Sequence, residues 1–299
     1  MILVTGGTGF IGRHVVARLA EGGKPVRVAA RGSRKAGLPD GVEQVTADIV
    51  SGEGLAEAMA GADRVAHLVA VITEKGGQRF DAVIRGGTAN VVSEAEKAGV
   101  KKLVYVSAIG AAQDPKYPYW HAKWQAEQAV AASNLNYTIL RPSLVFGPED
   151  DFFNRLQRLI RHAPIVPVAG DGKTRFQPIW VEDVVTCVVA CLNEGVHDRE
   201  IVEIGGSEYY TYNEIIDLIR RKVGTRKPTV HVPLWAMRPG ARVLQAVLPS
   251  PPVTTDQLAM LSKDNATALD AVPKAFGFTP MSLRDGLGRP QGPAGSDTA

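Results

Sequence analysis

The chain has 299 residues, of which 45% are hydrophobic and 22% charged, with 31 Gly and 19 Pro. That composition supports about two domains, or one α/β body with a smaller lobe, and excludes disordered, collagen-like and coiled-coil classes. Lys and Arg number 34 against 31 Asp and Glu, and the resulting formal charge of +3 is too small to argue for a nucleic-acid or anionic-membrane partner.

Short β-branched runs alternate with longer stretches of helical period, a rhythm that predicts βαβ units around a parallel sheet. Strands are expected over 2–5, 25–30, 42–47, 64–70, 102–107 and 137–140, and helices over 10–21, 54–60, 80–98 and 119–132. This order fits an α/β fold with a doubly wound, Rossmann-type parallel sheet in residues 1–148. Gly22-Gly23, Gly61 and Gly99 supply the helix stops. Beyond Pro148 the rhythm loosens at Pro164, Pro167, Gly170 and Gly172. A smaller substrate-side lobe is expected over 149–177 and 206–285, with 178–205 rejoining the first domain. Further helices are read at 153–162, 181–193 and 212–223, and further strands at 201–204 and 229–232. The last residues, 286–299, hold too few apolar groups to offset ordering entropy and are expected to form a disordered tail.

The longest apolar run, VVTCVVACL at 184–192, falls far short of the roughly 18 residues of a membrane span. Met1 leads straight into strand-like ILVT, so no signal or transit peptide is expected. Cys187 and Cys191 stand four apart in an apolar helical pattern and read as small buried hydrophobes, which implies a reducing, cytoplasmic setting. The six histidines lack metal-ligand spacing, and no metal is expected.

Thr5-Gly6-Gly7-Thr8-Gly9-Phe10-Ile11-Gly12 follows the first strand and opens the first helix, the context that a phosphate-binding glycine motif requires. Gly6 permits the tight turn, Gly9 lets backbone approach a pyrophosphate, and Gly12 allows close helix packing, while the helix N-terminus offers N–H groups to the anion. The bland alternative is a tight strand-to-helix turn and nothing more.

An NAD site places an acid about 20 residues further on, at the ribose 2′-hydroxyl. The second strand instead runs into Arg31-Gly32-Ser33-Arg34. Arg31, with Arg13 of the first helical turn and Ser33, can meet a 2′-phosphate by charge-assisted bonds, so NADP is favoured over NAD. The competing reading is a solvated basic loop. Asp48 and Ile49 after the third strand, and Leu68, Val69 and Ala70 at the end of the fourth, are candidates for the adenine pocket or plain sheet-edge residues.

Tyr119 and Lys123 stand one helical turn apart. An ammonium about 4 Å from a phenol contributes about 4 kcal/mol at an effective dielectric of 20, on the order of three pKa units toward phenolate before desolvation subtracts. Lys123 could also bind the nicotinamide ribose.

These residues resemble the short-chain dehydrogenase/reductase superfamily in its extended NAD-dependent epimerase/dehydratase form, and more closely the atypical branch related to the 39 kDa subunit of respiratory complex I. The resemblance covers about Met1 to Gly277. It rests on TGGTGFIG at 5–12, YxxxK at 119–123, LRPSLVFGP at 140–148, and RFQP at 175–178 running into VEDV at 181–184. It implies that Pro142, Ser143 and Val145 lie along the nicotinamide, and that Tyr119 and Lys123 are the proton donor/acceptor and its partner. Two positions depart from the pattern. The family's catalytic Ser or Thr after the fifth strand falls on Ala108, next to Ser107, and Ile84 replaces the Asn of Asn-x-x-Gly-Thr. Ser107 is the candidate replacement hydroxyl, with Ser143 as another.

Two functions follow: an NADP-dependent oxidoreductase or epimerase acting on a small-molecule carbonyl or hydroxyl substrate through Tyr119, or a non-catalytic NADPH-binding structural, assembly or redox-sensing subunit with a quinone- or respiratory-complex-linked partner. Arg155, Arg158, Arg161, Lys173 and Arg175 form either a contact for an anionic substrate or a solvated basic face. Residues 235–248 read as a lobe-packing helix, with membrane-surface docking as the weaker alternative.

Overall fold

The computed structural model describes residues 1–32, 37–247 and 254–289, with backbone only for 242–247. Ser33 and Arg34 therefore lie outside the described residues. The chain divides into two compact units, the first comprising Met1–Pro142 and Val181–Ile204, the second Ser143–Trp180 and the described residues from Gly205.

The first unit is built on a seven-stranded parallel sheet. Its strands are β1 (Ile2–Thr5), β2 (Val26–Ala30), β3 (Glu43–Thr46), β4 (Arg64–His67), β5 (Lys102–Val106), β6 (Tyr137–Pro142) and the returning strand Glu200–Ile204. The spatial order is β3-β2-β1-β4-β5-β6 and then Glu200–Ile204, which pairs in parallel with β6. The chain reverses its winding between β1 and β4, so the ligand crevice of such a sheet opens at the carboxyl ends of these two strands. Continuous burial of β1 and β5 explains the apolar runs 2–4 and 103–106 within them. Helices α1 (Phe10–Glu21), α2 (Leu55–Met59), α3 (Gly87–Lys97) and α4 (Pro118–Ala131) make the crossovers.

Helix α5 (Asp151–His162) belongs to the second unit, whereas α6 (Val181–Cys191) returns to the first and packs on α1. Glu182 of α6 accepts from Arg18 of α1 at 2.7 Å and meets His14 at 2.5 Å. Cys187 and Cys191 are free thiols in the buried face of α6. In the second unit, α7 (Tyr212–Val223) starts in a capping box of Thr211 and Glu214 and ends at Gly224, in the left-handed conformation.

Three expectations are corrected. The fourth strand stops at His67: the Leu68 amide makes one last bond to the Thr5 carbonyl, beyond which β1 ends in the glycine bend and Leu68 and Val69 lie against Gly6 instead of a strand. The helix expected over 80–98 begins as a π-helical turn, Asp81–Gly86, before α3 takes over. The tail expected from Gly286 starts inside a helix, Leu283–Gly288, capped by Ser282. Gly286 is buried there: a Cβ at this position would lie 2.5 Å from the Phe146 ring. Residues 290–299 lie outside the described residues.

Candidate dinucleotide and catalytic site

The glycine motif forms the bend between β1 and α1. Gly6 has φ +77°, and a Cβ there would meet the Val69 amide nitrogen at 2.9 Å. Gly9, the residue before α1, carries no side-chain cap, and the first turn of α1 holds no acid, so the N–H groups of this helix start are open to an anion with no capping side chain in competition. A Cβ on Gly9 would stand 3.2 Å from the Gly6 carbonyl oxygen. Gly12 serves the turn more than the sheet, since its Cβ would fall 2.0 Å from that same oxygen. This bare cradle fits a dinucleotide diphosphate. Thr8 is exposed, and Phe10 and Ile11 are half-buried at the helix start.

The other candidates cluster at the carboxyl ends of the strands. Leu68 and Val69 present backbone to Gly6, with Ala70 exposed beyond them. Asp48 is half-buried and accepts from the Val50 amide at 2.8 Å, closing a turn after β3. Ile49 is buried, packs where a Cβ on Gly87 would have to go, and gives its carbonyl to Asn90 at 2.8 Å. Arg31 and Arg13 are both exposed. Among the described residues no ion pair includes Arg31. Instead its guanidinium faces the Gln78 side-chain amide, and with that amide turned so that its oxygen rather than its nitrogen meets the two donors, Nη1 and Nη2 donate to the oxygen at 2.7 and 2.8 Å.

Helix α4 carries Tyr119 and Lys123, both buried. Phe80 packs edge-on against Tyr119 with ring centroids 5.7 Å apart. The Lys123 ammonium donates to the Val106 carbonyl at 2.8 Å and sits 5.0 Å from the Tyr105 ring centroid. Glu127, one turn further on, is fully buried and takes a two-pronged ion pair from Arg141 of β6 at 2.8 and 2.6 Å. The Arg of the LRPS segment therefore anchors the Tyr-Lys helix to the sheet.

The electrostatics of the pair run opposite to the expectation from spacing. Burial pushes Tyr119 up to about 12, away from phenolate. Burial also pulls Lys123 down to about 7, against the opposing pull of Glu127. In a dry site the loss of hydration outweighs the attraction that spacing alone suggested.

Ser107, the residue after β5, is buried, and among the described residues its hydroxyl has no hydrogen-bond partner. Ser143 behaves differently. In the second unit its hydroxyl donates to the Gln177 carbonyl. That leaves Ser107 as the better candidate for the hydroxyl that Ala108, half-buried beside it, lacks. Ile84 is buried in the π-helical turn, an apolar plug at the Asn position. Pro142 closes β6 and accepts from the Ile109 amide at 2.9 Å, whereas Val145 pairs with Ile179 in a short parallel ladder of the second unit.

Sequence reasoning overlooked His67 and Gln177. His67 is completely buried, with its ring nitrogens 2.6 Å from the Thr5 hydroxyl and 3.0 Å from that of Thr88. Burial, aided by the Lys123 charge, holds it neutral with a pKa of about 3. Gln177, the Gln of RFQP, is equally buried. Its side chain donates to the Gly206 carbonyl and accepts from the Thr267 amide, each at 2.7 Å. Of the basic residues considered for an anionic substrate, Arg155 pairs with Asp151 at 2.6 Å and Arg175 with Asp264 at 2.8 Å. In the helix Leu234–Val247, Trp235 is exposed and Ala241 buried. Leu248 lies outside the described residues. Among the described residues no helix is long and apolar enough to cross a membrane, and no cluster of His, Cys, Asp and Glu could hold a metal.

Sheet order, glycine bend and crevice together define a Rossmann-type dinucleotide-binding fold. Residues 2–205 match the NAD dependent epimerase/dehydratase family, and the chain belongs to it. It is 29% identical over 290 residues to the mitochondrial NADH dehydrogenase [ubiquinone] 1 alpha subcomplex subunit 9 of Arabidopsis thaliana, covering 90% of this chain and 71% of that protein. It is also 29% identical to the ceramide reductase of Caulobacter vibrioides, over 78% of this chain and 74% of that one. The solved UDP-glucose 4-epimerase of Thermotoga maritima shares the fold, with a TM-score of 0.72 at 24% identity and 96% of each chain covered.

Proposed function

We propose that this chain binds NADP(H) and acts as an oxidoreductase or epimerase on a small-molecule carbonyl or hydroxyl substrate. The observation that carries the reading is the buried, unpartnered hydroxyl of Ser107, next in the chain to the Val106 carbonyl that holds Lys123. A buried hydroxyl without a partner is costly in the free protein and becomes useful when a substrate oxygen completes it.

Thr8, Gly9 and the first N–H groups of α1 hold the diphosphate, Gly6 and Gly12 shape that cradle, and Arg31, with Arg13 and Ser33, meets a 2′-phosphate. Asp48, Ile49, Leu68, Val69 and Ala70 border the adenosine. Pro142, Ser143 and Val145 are assigned to the nicotinamide side by family resemblance. A bound nicotinamide supplies hydride transfer to or from carbon. Tyr119 donates or takes the proton at the substrate oxygen, Ser107 hydrogen-bonds that oxygen, and Lys123 orients the ribose. The phenol is protonated at neutral pH, which suits the proton-donating, carbonyl-reducing direction. The free, buried thiols of Cys187 and Cys191 suit a reducing, cytoplasmic setting.

Ile84, Ala108 and the raised Tyr119 favour a second reading, a non-catalytic NADPH-binding subunit of a quinone- or respiratory-complex-linked assembly. Fluorescence titration of the purified chain with NADPH and NADH, followed by NADPH oxidation assays with ketones, aldehydes, quinones and nucleotide sugars, separates the two. Turnover that Tyr119→Phe reduces by about 100-fold or more, with NADPH affinity unchanged, supports catalysis. Tight NADPH binding with no turnover on any of these supports the second reading, and binding of neither nucleotide overturns both.

A further inference from the structure

Arg31 emerges at the carboxyl end of β2 on an exposed surface, where a long side chain with about 2 kcal/mol of rotamer entropy would ordinarily sample many positions. Two neutral amides restrain this corner. The Gln44 side chain donates to the Gly32 carbonyl at 2.6 Å and holds the backbone one residue beyond Arg31. Gln78 sets its side-chain amide against Nη1 and Nη2 of Arg31, and the orientation that satisfies both groups has the amide oxygen accepting from them at 2.7 and 2.8 Å. Gln78 sits on a turn closed by its own amide donating to the Lys75 carbonyl at 3.0 Å. The carboxylate of that turn, Glu74, is engaged elsewhere: it accepts from the Phe80 amide at 2.9 Å and from Arg79 at 3.1 Å.

We propose that Gln78 is a positioning residue that selects NADP(H), holding the Arg31 guanidinium in place for a 2′-phosphate without neutralising it. The inference rests on the NADP reading above. A guanidinium has five N–H donors. The Gln78 oxygen occupies the inner edge between the two terminal nitrogens and leaves Nε–H and the outer hydrogens for a bidentate grip on phosphate oxygens. A carboxylate at position 78 would make the same two bonds, cancel the charge and repel the phosphate. An apolar residue would keep the charge and release the side chain to solvent. Gln satisfies both requirements because its acceptor carries no net charge, so the side chain is pre-organised at no electrostatic loss.

The test is calorimetric or fluorescence titration of the full chain with NADPH and NADH, for wild type, Gln78→Glu, Gln78→Met and Arg31→Ala, with a thermal melt of each. In Gln78→Glu the NADPH affinity is expected to fall about tenfold or more with NADH affinity held within about twofold, and in Gln78→Met a smaller loss of the same selectivity is expected. A merely structural role would weaken both nucleotides alike, and that result overturns the proposal. If Arg31→Ala abolishes the NADPH preference while both Gln78 variants keep it, Gln78 has no such role and the NADP reading stands. If Arg31→Ala leaves the preference unchanged, or wild type shows none, the NADP reading and this inference fail together.

Discussion

The α-carbon of Gly12 is turned toward the carbonyl oxygen of Gly6, so closely that a Cβ on Gly12 would lie 2.0 Å from that oxygen. No side-chain rotation relieves a clash with backbone. Gly12→Ala must push α1 away from the bend, and we expect a stability loss of about 1–3 kcal/mol together with at least a tenfold loss of dinucleotide affinity. Denaturant melts and nucleotide titration check both, and retention of full affinity would show that the bend is not the diphosphate cradle.

Ser107→Ala is expected to separate stability from function. The hydroxyl is buried with no partner among the described residues, so removing it relieves a desolvation penalty, and the variant should be as stable as wild type or more so by about 1 kcal/mol. Any turnover should fall by about 100-fold. A urea melt showing Ser107→Ala clearly less stable would mean that the hydroxyl is satisfied within the folded chain.

His67 makes stability depend on pH in the acid range. Its folded pKa of about 3 lies below the ordinary 6.5, so between these values the unfolded chain binds the extra proton and the native chain does not. Its contribution is therefore fully present above about pH 6.5 and is lost as pH falls toward 3, with a slope of up to about 1.4 kcal/mol per pH unit. His67→Gln should flatten that slope in urea melts between pH 4 and 8. An imidazole NMR titration placing His67 near its ordinary pKa in the folded protein would contradict this account.

Gln177→Leu leaves the Gly206 carbonyl and the Thr267 amide without their side-chain partner, and is expected to cost about 2–5 kcal/mol. Gln177→Glu should cost more as pH rises. A buried carboxyl has a folded pKa above its unfolded value of about 4.3, so the native state holds the extra proton and loses stability as it ionises. Equal stability of both variants across pH 4–8 would count against a buried clasp.

Much of the fold is local and was legible in the chain. Strand and helix periods set β1, α1, α7 and Thr229–Val232 at the bounds read from sequence, because each segment's pattern of burial repeats within a few residues. The glycine bend was legible for the same reason: positive φ at Gly6 and an uncapped helix start are properties of adjacent residues.

What only the tertiary structure decided depends on partners far along the chain. The His67 network joins residues 62 and 21 positions away, and the Gln177 side chain reaches residues 29 and 90 positions away. No periodicity encodes such pairings. The same holds for the Tyr119–Lys123 pair. Its spacing is a sequence property, but the direction of both pKa shifts is set by how much water the surrounding sheet and helices exclude. Sequence therefore determined where the glycine bend lies, and packing set the direction of the pKa shifts of the buried groups, because hydration is lost only when distant segments close over a side chain.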